Sequence, residues 1–447
     1  MKLKYERPVI KKMNTGIMDK FGMPSQYDPI KEIDGVGIKS LTHEYGSPLF
    51  VLSEKQIRRN YQAAVRSFST RYPKVQFAWS YKTNYINAVC KIFHQEGSWA
   101  EVVSGFEYLK ALNNGVPGNH IIFNGPDKKA DDLRLAITNQ SLIHIDHLNE
   151  LDLIITICEE LNQKAKIAIR VNMDTGIYPV WDRFGFNYEN GQAWTAITKV
   201  VKASNLDLIG LHCHIGTFML SCSAYEIATQ KLCALAMRCK TELQNAVHYL
   251  DLGGGFPSKN SLKGALTGID SIPTLEEFAE TITSTLLNFG FDANEMPLLI
   301  LESGRALIDD AGYLIGSVIA NKRLSDGRRA TIVDFGINLL FTANWYDHQI
   351  SAAQECSQYT EETVLFGPLC MNIDVVRNSI SLPLLEPGDQ LVVHKVGAYN
   401  MTQWMQFINM RPAVVLIDTK GKEHLIRKQE TLEYLELMEE LPIHLKA

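Results

Sequence analysis

The sequence has no long apolar run. Nowhere in its 447 residues is there a stretch approaching the ~18 apolar positions that a membrane-spanning helix needs. The N-terminus, MKLKYERPVIKKMNTG, is basic, but no apolar segment follows the charges, so it does not read as a secretory signal. A cytoplasmic protein is expected. An excess of one charge is also missing. Lysine and arginine total 44 against 50 aspartates and glutamates, a net charge of −6. That balance gives no electrostatic case for binding nucleic acid or an anionic membrane. The eight cysteines form no C-x-x-C pair and no regular ladder, which argues against a zinc ribbon or a disulfide framework and for a reducing compartment. Internal repeats and low-complexity tracts are absent too. Hydrophobic content of 46% and charged content of 21% are those of an ordinary globular protein of two or three domains.

What is present is an alternation. Eight short β-rich runs occur between residues 76 and 304: QFAWSYK, WAEVVS, HIIFNG, LIHIDH, KIAIRVN, LDLIGLHCHIG, YLDLGGG and PLLILESG. The segments between them read as helices. Ile57, Tyr61, Val65 and Phe68 share one face at helical spacing. TLEEFAETITSTLLNFG opens with a Thr-x-x-Glu capping box and closes at Gly290. Apolar strands alternating with amphipathic helices imply a covered parallel sheet. Eight units point to an α/β fold, a (β/α)8 barrel over residues 46–305, with a doubly wound open sheet as the alternative. After residue 306 the strand-like runs are separated by Gly, Pro, Asp and Asn, with one helix expected near 429–440. Residues 306–447 therefore read as an all-β domain, which the first 45 residues could join.

The stretch FAWSYKTNY (77–85) ends an apolar run on Lys82. In a (β/α)8 barrel the chemistry sits at the C-terminal strand ends, and the unusual residues end the other runs as well. Ser104 and Glu107 follow the second run, and Arg170 lies in the fifth. The sixth ends in His212-Cys-His214-Ile-Gly-Thr217. Gly253-Gly254-Gly255 closes the seventh and Glu302-Ser-Gly-Arg305 the eighth. Glycines after a strand let backbone N–H groups approach an anion, although a tight turn alone explains such a triplet equally well. Thr217 and Arg305 could add contacts to a phosphate. His212 and His214, two apart, are expected on one face of their strand; no further ligand cluster completes a metal site, so no metal is expected. A lysine, a carboxylate and a phosphate cradle together suggest pyridoxal 5′-phosphate, with the lysine as Schiff-base residue and the carboxylate at the pyridine nitrogen.

These motifs occur in one order: YKTN, VVSGFE, IIFNGPDK, HxHIGT, LDLGGGFP, ESGR, GPLCMNID and VGAY. In that order the chain resembles the fold-type III pyridoxal-phosphate decarboxylases of the diaminopimelate and ornithine decarboxylase family, which share an alanine racemase-like barrel. The resemblance covers nearly the whole chain. It implies that Lys82 carries the cofactor, that His214 stacks on its ring, and that Glu302 meets the pyridine nitrogen. Arg170, Thr217, Gly253, Gly254, Gly255, Arg305 and Tyr399 would complete the cofactor site. A head-to-tail homodimer with shared active sites is implied, with Cys370 and Asp374 reaching into the partner's site. The racemases of this fold place an arginine where Glu302 stands, so decarboxylation is expected rather than racemisation. A cofactor carrier without catalysis would lack the β-domain, and a regulatory homologue would lose cofactor residues that this chain retains.

The substrate signals depart from the diaminopimelate pattern. Met371 follows Cys370 where those enzymes usually have an acid, and Phe341-Thr342 stands where they carry Arg-Pro. Trp345-Tyr346-Asp347-His348 looks like the ornithine decarboxylase segment whose Asp receives a distal amine. Tyr346, Asp347, Met371 and Asp374 are the expected substrate contacts. Losing polar partners for a charged substrate end weakens discrimination. The expectation is therefore a decarboxylase of an amino acid or a conjugated diamino acid, in specialised or siderophore biosynthesis, and not of diaminopimelate. Diaminopimelate decarboxylase and an ornithine/lysine-type decarboxylase are the alternatives.

Overall fold

A computed structural model describes residues 29–264 and 269–446. Eight parallel strands close into a barrel: Val75–Ser80, Trp99–Val102, Ile121–Phe123, Leu142–Ile145, Ala165–Asn172, Leu206–His212, Tyr249–Asp251 and Leu298–Leu301. Each pairs with the next, and the eighth pairs with the first through Leu299↔Val75 and Leu301↔Phe77. All eight runs read from the sequence become barrel strands, and closure excludes the open sheet.

Side-chain alternation explains what the barrel holds. On the outward face of the first strand, Phe77 meets Phe68 of the helix Glu54–Ser69, with ring centroids 5.6 Å apart. That helix buries Ile57, Tyr61, Ala64 and Phe68 and is capped by Ser53, whose Oγ accepts from the Gln56 amide at 3.0 Å. Thr274 and Glu277 form the capping box of Leu275–Asn288. The inward face has two storeys. Ala78, Ile122, Leu142, Ala168, Tyr249 and Ile300 form an apolar floor. Two residues further along each strand, and so on the same face, stand Ser80, Glu101, Asn124, His144, Arg170, His212, Asp251 and Glu302. Every strand contributes one polar residue to this ring, and all eight are buried.

The second domain is a β-sheet in the order Val375–Pro383, Thr360–Phe366, Arg329–Val333, Gly312–Arg323, Leu49–Ser53, Val414–Ile417, Glu423–Arg427. Gln390–His394 pairs with both Gly312–Arg323 and Ile350–Ala352. The expected barrel span of 46–305 needs one change, because Leu49–Ser53 lies between two strands of the second domain. It is buried at all five positions and precedes a helix, as a barrel strand would. Residues 29–45 pack on the same sheet: Ile33, Ile38 and Leu41 share a core with Val51, Ile315, Val392 and Val415. Residues 1–28, the remainder of the N-terminal segment expected to join this domain, lie outside the described residues. The helix expected near 429–440 is only Leu432–Glu436. No helix among the described residues is long and apolar enough to cross a membrane, and all eight cysteines are free.

One buried ion pair fastens the barrel rim after the third and fourth strands. Lys128 Nζ lies 2.6 Å from Glu150 Oε1 and also donates to the carbonyls of Gly125 (2.6 Å) and His144 (2.8 Å). Glu150 Oε2 accepts from the Asp146 amide at 2.8 Å. Removing one partner strands a buried charge, which costs about 3–5 kcal/mol. Lys128→Met is expected to lower the urea midpoint accordingly, and Lys128→Met combined with Glu150→Leu to recover part of the loss. An unchanged midpoint in the single variant would refute this account.

Candidate active site at the barrel mouth

Lys82 lies in the turn Tyr81–Thr83, immediately after the first strand. Its Nζ sits 2.8 and 2.6 Å from the two oxygens of Glu101 on the second strand. Glu101 has no solvent exposure, whereas the Lys82 side chain keeps 38%. The amine therefore faces open space while its counterion is locked in the wall. Ser80 Oγ fixes that counterion by donating to Glu101 Oε2 at 2.5 Å. Burial works against the ammonium, but Glu101, Glu302 and Tyr399 outweigh it and hold Lys82 above the ordinary lysine range. The second domain clamps the turn. Tyr399 donates its amide to the Thr83 carbonyl (2.9 Å), Thr402 Oγ1 donates to the Lys82 carbonyl (2.9 Å), and Asn84 Nδ2 donates to the Gly397 carbonyl (3.1 Å).

Glu302 follows the eighth strand and enters the ring. Asn124 Nδ2 lies 3.2 and 3.4 Å from its two oxygens, and His212 Nε2 lies 3.3 Å from Oε2. His144 stacks beside His212 with centroids 4.7 Å apart, and its Nε2 is 2.9 Å from the Tyr249 hydroxyl. Burial drives both imidazoles well below the usual histidine range, so they are neutral partners of the carboxylate. Burial and the neighbouring Glu302 charge push Asp251 well above the usual carboxylate range, which favours its protonated form. His144, His212 and Glu302 each offer a ligand atom within 4.8 Å of the others, but this trio is part of the ring that shapes the Glu302 site.

His212 and His214 stand at different levels, because the strand ends at His212. His212 ends the strand inside the ring, while His214 lies beyond it in the cavity wall. There its Nδ1 accepts from the Gly254 amide at 3.0 Å, and burial keeps it neutral. The hydrogen bond at Nδ1 fixes the ring of His214 in the cavity wall.

The three glycines divide their work. Gly253 has φ +64° and Gly255 φ +97°, and a Cβ on Gly254 would lie 2.4 Å from the Glu302 carbonyl oxygen. The Gly253 amide is spent on Asp251 Oδ1 (2.8 Å) and the Gly254 amide on His214. The amides of Gly255 and Phe256 make no hydrogen bond among the described residues, and both residues line the cavity. They are the donors open to an anion, so the cradle is one residue further along than the glycine run suggests. The same cavity is lined by Lys82, His214, Thr217, Glu302, Arg305 and Tyr399. Lysine, flat imidazole, carboxylate and anion donors in one cavity are the donor set that pyridoxal phosphate needs, so the residues fit that cofactor.

Other expected residues are placed differently. Arg170 lies in the ring beneath the cavity, with its guanidinium over the Phe184 face at 4.6 Å and 3.6 Å from Asp146; it does not line the cavity. Arg305 packs on the Tyr399 ring at 4.6 Å and donates to the Tyr346 hydroxyl. Glu107 is a helix-cap residue: it accepts the Val103 amide at 2.8 Å, and burial raises it to about 7. Asp374 is buried and holds its own loop. Its Oδ1 accepts from the Ile337 amide and its Oδ2 from the Leu369 amide, each at 2.8 Å. The expected substrate role for Asp374 is therefore corrected to anchoring the turn that carries Cys370. Cys370 is exposed, Met371 is half-buried beside it, and neither lines the cavity of its own chain. Asp347 is 3.4 Å from Arg377. Thr342 is buried, its Oγ1 2.8 Å from both His348 Nε2 and Asn400 Oδ1.

Sequence reasoning missed Glu101, Asn124, His144 and Asp251. The signal was the period of two: Asn124, His144 and Asp251 each stand two residues past an apolar floor position, and Glu101 two past Trp99, which packs against that floor.

Comparison with known proteins agrees on the chemistry. Residues 54–309 match the family described as "Pyridoxal-dependent decarboxylase, pyridoxal binding domain". Diaminopimelate decarboxylase of Methanocaldococcus jannaschii is 32% identical over 92% of this chain and 95% of its own length. That of Bacillus subtilis is 28% identical, covering 90% of this chain and 93% of its own. The M. jannaschii enzyme solved with L-lysine has a TM-score of 0.86 at 30% identity, covering 94% of this chain and 98% of its own. These relatives overturn the expectation, drawn from Phe341, Thr342 and Met371, of a specialised or siderophore-pathway decarboxylase that excludes diaminopimelate. Two absent charges do not outweigh similarity that runs through both domains.

The cradle geometry makes a direct prediction. Gly254→Ala forces a methyl group into the Glu302 carbonyl and is expected to weaken pyridoxal-phosphate binding at least about tenfold, because ~1.4 kcal/mol of misplacement already gives that factor. Titration of the apoprotein followed by tryptophan fluorescence checks it, with far-UV circular dichroism as the folding control. Unchanged affinity would refute the cradle.

Proposed function

Because the chain belongs to the pyridoxal-dependent decarboxylases, we propose that it removes one α-carboxylate from diaminopimelate, giving lysine and CO2. The observation that carries this reading is similarity to diaminopimelate decarboxylases over about nine-tenths of the chain, at up to 32% identity. The reaction takes up one proton: diaminopimelate plus H+ gives lysine plus CO2.

Bound pyridoxal phosphate supplies the electron sink for the pair left when the carbon–carbon bond breaks. Lys82, His214, Thr217, Gly255, Phe256, Glu302, Arg305 and Tyr399 would hold it. Glu101 has both oxygens within hydrogen-bond reach of Lys82 Nζ and can take the proton that the amine sheds before acting as a nucleophile. Glu302, flanked by neutral histidines and Asn124, aims its carboxyl group at the cavity. The tied loop at Asp374 and the clamped turn at Lys82 pre-set the positions of both reactive side chains.

The active unit in this reading is a homodimer. Cys370 is exposed and away from its own cavity, the placement expected of a residue supplied to a partner's site.

Two measurements test the proposal. Holoprotein incubated with meso-diaminopimelate should release CO2 and lysine one to one; CO2 from ornithine or lysine, with none from diaminopimelate, would sink it. Mixing Lys82→Ala with Cys370→Ala subunits should restore about a quarter of wild-type activity, since random exchange gives half heterodimers with one intact site of two. No recovery after verified exchange would rule out shared sites.

A further inference from the structure

A second cavity, of about 470 Å3, shares Thr217 and Arg305 with the cofactor cavity. Lys263, Phe218, Trp345 and Tyr346 line its other sides. The segment 261–263 runs antiparallel to 345–347. The Lys263 amide donates to the Trp345 carbonyl, and the Asp347 amide to the Ser261 carbonyl, each at 2.8 Å. Lys263 is half-buried, and its ammonium makes no hydrogen bond or ion pair among the described residues. Arg377 reaches the same corner from the strand Val375–Pro383, with its Nε 3.4 Å from Asp347 Oδ1. Burial depresses both cations, while Asp347 partly offsets this.

Lys263 and Arg305 thus line one space, with the Asp347–Arg377 pair close enough to Lys263 to act on its charge. A half-buried ammonium without a partner costs free energy until a ligand supplies the counter-charge. The surplus of positive charge calls for a carboxylate, and Asp347 can take an ammonium beside it. Diaminopimelate carries that pair on the end that does not react.

Resting on the diaminopimelate reading above, we propose that Lys263 is a specificity-determining residue that receives the far carboxylate of the substrate, with Asp347 taking the far ammonium. The charge absent at Phe341-Thr342 is supplied from a different segment of the chain.

L-lysine and cadaverine isolate this contact, because cadaverine is lysine without the carboxylate. Each amine is titrated into holoprotein, and the change in cofactor absorbance gives its Kd. Wild type should bind lysine at least tenfold tighter than cadaverine. Lys263→Met should bind the two alike, leave cadaverine and pyridoxal-phosphate affinity unchanged, and raise KM for meso-diaminopimelate at least tenfold with kcat within threefold. Lys263→Arg should restore most of the preference. Three results would overturn the proposal: a wild type indifferent to the carboxylate, a Met variant that keeps the preference, or one that loses both amines or the cofactor together. If wild type prefers lysine and Lys263→Met abolishes the preference, yet diaminopimelate yields no CO2, the proposed reaction fails while the carboxylate site stands.

Discussion

Three carboxylates sit within one storey of a closed barrel, and the structure depends on how they are kept from repelling one another. Glu101, Asp251 and Glu302 are all buried. Like charges at this depth cannot all ionise without partners. The solutions differ by residue. Glu101 is paired with Lys82, whose ammonium works against the upward push of burial on its carboxyl group. Asp251 is pushed toward its neutral acid and turns one oxygen to the Gly253 amide. Glu302 faces the cavity, supported by Asn124 and two neutral histidines. The ring therefore leaves one carboxylate oriented toward a ligand and one amine oriented toward the same space.

The second domain completes this arrangement. It contributes the Tyr399 amide and the Thr402 hydroxyl to the Lys82 turn, so Lys82 is held by both domains. The same domain displays Cys370 on a turn tied by Asp374 through two backbone amides. A shift of the sheet relative to the barrel would move Lys82 and Cys370 together. Catalytic geometry and domain packing are thus one constraint, which explains why a barrel alone would be an incomplete enzyme of this kind.

Much of this was legible in the sequence, for a physical reason. Barrel strands are short apolar runs with chemistry at their ends, so Lys82, His214, the glycines, Glu302 and Arg305 stand out where an apolar pattern breaks. Glu101 does not stand out, because it alternates with Ala100 and Val102 inside a run that reads as an ordinary half-polar strand. Leu49–Ser53 misled for the opposite reason: burial on both faces looks the same in either sheet. Asp374 looked functional beside Cys370, yet its oxygens are spent on amides that only the folded loop brings near.

The substrate was the least legible part. Reading it position by position treats Phe341 and Met371 as deleted charges. A pocket is a volume, however, and any segment that reaches it can carry the charge. Thr342 is turned inward to His348 and Asn400, so that position is not available to a ligand at all. Lys263 and Arg305 line the second cavity and come from distant parts of the chain, and only Arg305 belongs to a motif. Electrostatic complementarity at a pocket is set by the sum of such groups. A missing charge in a motif is informative only when every wall of the pocket is known, and the fold, rather than the alignment of motifs, supplies those walls.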